Sequence, residues 1–147
     1  MTSRTHPHRD ARRIALDILF QADVRGENPA DALADWTSDN RDVPEFAAEL
    51  VHGVAASTED LDRLIGEAAH EWTVERMAAV DRTVLRLAVY ELLHRDDVPP
   101  GAAISEAVVA AKELSTEDSG RFVNGILGRI AREIDRPAQG EESDTAR

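Results

Sequence analysis

The sequence predicts an all-α fold of about seven helices, and three observations predict it. Apolar residues recur at helical spacing along nearly the whole chain. No stretch of useful length alternates with period two. The breaks between periodic segments are short clusters rich in Gly, Pro, Asn, Asp and Ser, as in helix–helix hairpins. The 147 residues suit one domain, or two tightly packed subdomains, with chain enough for a hydrophobic core.

Ile14, Ile18, Leu19 and Ala22 form the first stripe, over about Arg9 to Arg25, and Gly26 ends it as a C-terminal glycine does. Asn28-Pro29 supplies an N-cap and a first-turn proline for a short helix through Leu33 and Trp36. Pro44 opens the next helix, with Phe46, Ala47, Leu50, Val51 and Val54 on one face. Ser57-x-x-Asp60 reads as a capping box that starts another, carrying Leu61, Leu64, Ile65 and Ala68. Thr73 caps a short turn through Met77. Val80, Val84, Leu85, Leu87, Ala88 and Leu92 then lie on a helix from about Asp81 to Arg95, apolar around so much of its girth that it is expected at the centre.

Asp96 to Gly101 is a break. Ser105 is expected to cap a helix with Ala107, Val108, Ala111 and Leu114, and Asp118 or Ser119 to cap the last, with Phe122, Val123, Ile126, Leu127 and Ile130. Asn124-Gly125 is a hairpin cue, but helical spacing continues through it, so Gly125 and Gly128 are expected to permit close helix packing. From Pro137 to Arg147 the chain is polar and acidic and is expected to be a disordered tail. Residues 1–136 then form the single domain, with 1–8 a flexible end.

Seventeen Lys and Arg face 29 Asp and Glu, a net charge of -12, which excludes a uniformly basic nucleic-acid binder. The distribution is uneven. Within the first thirteen residues four arginines face one aspartate, so a basic head precedes an acidic body. Without cysteine there is no disulfide, thiol nucleophile or Cys-ligated metal, in keeping with a cytoplasmic protein. Arg12-Arg13 before Ile14 imitates a twin-arginine signal, but Asp17 and Asp23 interrupt the apolar run and no cleavage site follows. No segment is long and apolar enough for a membrane span.

No glycine loop for phosphate, nucleophile elbow or His-Glu-x-x-His helix is present, so neither an enzyme nor a cofactor is expected. His6 and His8 lack a third ligand, and no metal is expected there. Arg9, Arg12 and Arg13 fall within about one helical turn, so their planar forks can address one stretch of phosphate backbone. The plainer reading is a solvated end paired with neighbouring acids. Glu75, Asp81, Glu91, Asp96 and Asp97 could receive a basic protein, or serve solubility alone.

Val80-Asp-Arg-Thr-Val-Leu-Arg-Leu-Ala-Val-Tyr-Glu-Leu-Leu-His-Arg-Asp-Asp-Val-Pro99 resembles the central helix of the NusB family. The run from Ile104 to Leu127, with its Glu-Asp-Ser turn and Phe-Val-Asn-Gly, resembles that family's C-terminal signature, and Arg12-Arg-x-Ala-Leu-x-x-Leu-Phe-Gln21 its opening helix. The resemblance implies two small packed helical bundles and a non-catalytic role in transcription antitermination on ribosomal RNA operons. The partners it implies are single-stranded boxA RNA, the ribosomal protein that acts as NusE, and the transcription elongation complex.

The resemblance also assigns residues. Arg9, Arg12 and Arg13 take the place of the arginine-rich segment, Phe20 that of the aromatic ending the first helix, and Asp118, Ser119, Arg121, Phe122 and Asn124 that of the RNA-proximal turn. Arginines would hold phosphate, Phe122 would stack and Asn124 would read a base edge. For Phe20 a core position is the expected one. Glu75, Asp81 and Glu91 would receive the basic partner. Two other readings are a helical interaction module that forms a homodimer, and the NusB-like domain of an rRNA cytosine methyltransferase. Against the latter stands a chain that runs into a polar tail with no methyl-donor domain.

Overall fold

The computed structural model describes residues 8–70 and 72–146, with side chains described as far as Ile134 and none for Glu71. Among the described residues there are six α-helices, one 3₁₀ turn and no strand: α1 (Arg9–Arg25), α2 (Pro29–Ser38), α3 (Glu45–Ala69), the turn Val74–Arg76, α4 (Ala79–His94), α5 (Pro100–Leu114) and α6 (Glu117–Ala146). The expected tail from Pro137 lies outside the residues whose side chains are described.

Helices α1 to α3 pack on one another, as do α4 to α6. The two groups join where α1 and α3 meet α4 and α3 meets α6. One continuous core results, centred on Ile18, Leu50, Leu61, Ile65, Leu85, Ile126 and Leu127. The all-α expectation holds, with one helix fewer than expected because the break at Ser57 does not exist. Val54, Leu61 and Ile65 stay on one face across it, so burial favours an unbroken helix. The Thr58 hydroxyl donates back to the Val54 carbonyl at 2.8 Å instead of capping a new start.

Three other local readings change. α5 begins at Pro100, not Ser105, because a proline in the first turn lacks only an N–H that would have no helical partner anyway. The cap of α6 is Thr116, whose hydroxyl accepts from the Ser119 amide at 3.0 Å, ahead of the expected Asp118 or Ser119. The glycines that let helices approach are Gly53, where a Cβ would sit 2.1 Å from Tyr90 Cζ, and Gly120, where it would sit 2.6 Å from Lys112 Cγ. At Gly125 a Cβ would meet nothing, and at Gly128 only an ordinary contact. Gly26 ends α1 as expected, with φ of 67°.

Polar side chains fix α1 antiparallel along α4 at both ends. Near the start of α1, Arg12 Nε donates to both carboxylate oxygens of Glu91 at 3.0 Å, with Glu91 only 2% exposed. Near its end, Asp23 receives Arg82 Nη2 at 2.6 Å and Arg86 Nη1 at 3.2 Å. Arg86 also forks onto Asp62 of α3 at 2.7 and 2.8 Å. Arg82 Nη1 donates to the carbonyls of Val74 and Met77, which holds the 3₁₀ turn on the same cluster. Burial pushes the Glu91 carboxyl above its ordinary range, and the Arg12 guanidinium pulls it only partway back.

Gly53→Ala should destabilise the fold by about 1–3 kcal/mol through the Tyr90 overlap. Gly125→Ala, at an open helical position, should stabilise it by about 0.5–1 kcal/mol; urea denaturation of both variants reads this. The Glu91 carboxyl keeps its proton to higher pH in the folded chain than in the unfolded one. Its contribution to stability is therefore fully present below the ordinary 4.5 and declines as pH rises through the raised value. Wild type should accordingly lose stability relative to Glu91→Gln on going from acid toward neutral pH. Arg12→Ala, which strands the buried carboxylate, should cost about 3–5 kcal/mol at pH 7 and less in acid.

Candidate nucleic-acid and partner interface

The arginine head is divided by burial. Arg12 is turned inward onto Glu91, its side chain 11% exposed. These two residues were expected on separate surfaces, one facing RNA and one a protein, and are instead each other's partner. Arg9 and Arg13, one helical turn apart, stay at the surface and reach across to α5. Arg9 forks onto Glu106 at 2.9 and 3.0 Å, and Arg13 Nη2 meets Glu113 at 2.6 Å. The start of α1 is also pinned to α3. His8 stacks on Phe46 with centroids 3.8 Å apart, and the Arg95 guanidinium lies 4.9 Å from the same ring. Arg95 is held in turn by Glu49 at 2.7 Å and Asp97 at 2.9 Å.

The Arg13–Glu113 pair brings the head close to the start of α6, because Glu113 is three residues before the Thr116 cap. Asp118, Arg121 and Asn124 are exposed there, and Asp118 pairs with Arg121. Ser119 is turned in, its hydroxyl donating to Ser115 at 3.0 Å. Phe122 is half-buried against the core and meets the Trp72 indole edge-on at 6.4 Å.

Phe20 is not a core residue. It is 39% exposed and faces Leu114, itself 41% exposed, across a groove of about 240 Å³ completed by Leu16, Asp17, Val80, Thr83 and Val84. Val24, one turn further along α1, is exposed as well. The reason is positional: Ile18, Leu19 and Ala22 already fill the inward face of α1, and Phe20 falls outside it. Asp81, next to the groove residue Val80, keeps a buried Oδ1 with no hydrogen-bond partner, and the Thr83 hydroxyl is in the same state. Glu75 is exposed on the 3₁₀ turn.

His6 lies outside the described residues. No group of three or more metal-ligating side chains occurs among the described ones, and no helix there is long and apolar enough to cross a membrane. Sequence reasoning placed Phe46 and Leu114 in core stripes and did not single out Trp72. Leu114 and Trp72 share a signal, an apolar residue at a helix end or in a link, that only exposure resolves.

The sequence profile of the NusB family matches residues 9–132. The transcription antitermination protein NusB of Symbiobacterium thermophilum is 47% identical over 146 residues, covering 92% of this chain and 95% of the relative. That of Saccharopolyspora erythraea is 53% identical over 124 residues, covering 82% and 84%. Among solved structures, T. maritima NusB superposes with a TM-score of 0.78 at 39% identity over 86% of this chain and 92% of that one. A chain from a complex of antitermination factors NusB and NusE with dsRNA superposes with a TM-score of 0.76 at 30% identity over 86% and 96%. With its helices in this order and its signature residues at the start of α6, the chain belongs to the NusB family.

Proposed function

We propose that this chain is a non-enzymatic antitermination factor that binds a single-stranded boxA element of ribosomal RNA transcripts together with the ribosomal protein acting as NusE. The observation that carries this reading is the pair Arg9 and Arg13, which Glu113 links to the segment entering α6. Two partly exposed arginines one turn apart are held by carboxylates of α5, and Glu113, the partner of Arg13, lies just ahead of the helix that carries the half-buried Phe122 and the exposed Asn124. Phosphates would exchange places with the carboxylates of Glu106 and Glu113, which already offer the forks an anion of similar geometry. Bases that are not paired in a duplex expose the faces and edges that Phe122 and Asn124 can meet.

The basic partner is assigned to the groove between Phe20 and Leu114. It is lined mainly by apolar side chains, and the exposed carboxylate of Asp17 in its wall offers an acceptor to a basic chain. Partner and RNA then lie side by side, because Leu114 directly follows Glu113. A cytoplasmic place within the transcription elongation complex accords with this reading. A homodimer would use the same groove, and it predicts self-association in place of RNA binding.

Binding of boxA RNA at several salt concentrations tests the head. Arg9→Ala with Arg13→Ala, leaving the structural Arg12 in place, should weaken binding and flatten the log–log salt dependence by up to about 1.4. Glu113→Gln, which releases Arg13, should tighten binding by about one-and-a-half to fivefold. Unchanged affinity and slope in the double variant would remove the head from the RNA site.

A further inference from the structure

We infer that Trp72, backed by Arg76, is a base-stacking platform that extends the RNA surface beyond Phe122. Four large apolar side chains are exposed among the described residues. Phe20, Val24 and Leu114 lie on α1 and α5, which leaves Trp72, 47% exposed, in the link after α3 and outside the lining of the Phe20–Leu114 groove. Its position is built. His70 turns the chain out of α3 with φ of 56°, and the Trp72 amide donates to the Ala69 carbonyl at 3.4 Å. From α6, Arg129 donates to the Ala68 carbonyl at 2.8 Å and so ties this end of α3 to the helix that carries Phe122.

The two rings meet at 79° with centroids 6.4 Å apart, a T-shaped contact that fixes the indole and leaves much of it open. The Arg76 guanidinium lies 5.8 Å from the indole centroid. An aromatic surface with a cation beside it is what a single strand uses: the indole takes the base, and the cation faces the phosphate that follows. The platform adjoins Phe122 through their T-shaped contact, so the inferred occupant is the same strand.

This inference rests on the RNA reading above, and the test keeps the two apart. In a Trp36→Phe background Trp72 is the only indole, so a short single-stranded boxA RNA should quench its fluorescence on binding. Trp72→Ala should lower RNA affinity by about fivefold to a hundredfold, one base–aromatic stack, with the salt slope unchanged. Trp72→Phe should keep most of the affinity. Arg76→Ala should flatten the slope by up to about 0.7. Urea denaturation of each variant establishes that it folds. If Arg9→Ala with Arg13→Ala weakens binding while Trp72→Ala is silent and the indole is not quenched, the platform is refuted and the RNA surface stands. Loss of ribosomal-partner binding by Trp72→Ala with RNA affinity intact would refute it too, and would assign the indole to a protein contact. If wild type binds no RNA, the parent reading fails.

Discussion

The structure depends on the antiparallel fastening of α1 along α4 by two arginine–carboxylate clusters. Arg12–Glu91 holds one end, and Asp23 with Arg82 and Arg86 holds the other. Apolar interdigitation already resists sliding or rotating one helix along the other by a fraction of a turn. Forked ion pairs with defined donors and acceptors do not tolerate that movement. Because Arg86 also reaches Asp62 and Arg82 reaches the turn carbonyls, the second cluster fixes α3 and the 3₁₀ turn in the same frame. Burying these charges is costly in itself, so their contribution is better described as register than as net stability.

That fastening decides which charges face solvent. With Arg12 consumed inside, Arg9 and Arg13 emerge on one side of α1 and meet the carboxylates of α5. The free protein thus presents a head whose positive charge is largely answered by its own acids. This accords with the net charge of -12 and favours RNA binding that is modest in the lone protein. The Phe20–Leu114 groove lies next to that head, so a basic partner seated there would add positive charge where it is scarce.

Much of the fold was legible because helical periodicity and end signals agree over most of the chain, and α1 with Gly26 is the clearest case. Where two signals competed, burial won: the stripe through Val54, Leu61 and Ile65 overrode the Ser57 capping box. The site was less legible. Arg12 and Arg13 are adjacent and chemically identical, and only the helix azimuth sends one inward and the other out. Glu91 and Arg12 lie 79 residues apart, and nothing in their spacing announces the pair. Phe20 looked like core because apolar residues surround it in sequence, yet its place on the helix is just beyond the buried stripe. Trp72 sits in a link, where periodicity carries no information.

Affinity for single-stranded boxA RNA against a scrambled strand, measured over a range of salt with and without the basic ribosomal partner, tests the central claim most directly. Weak boxA binding with a shallow salt slope is expected from the protein alone. With the partner present, binding should be tighter and steeper and should favour boxA over the scrambled strand. Equal affinity and slope in the two conditions, or no discrimination between the strands, would contradict it.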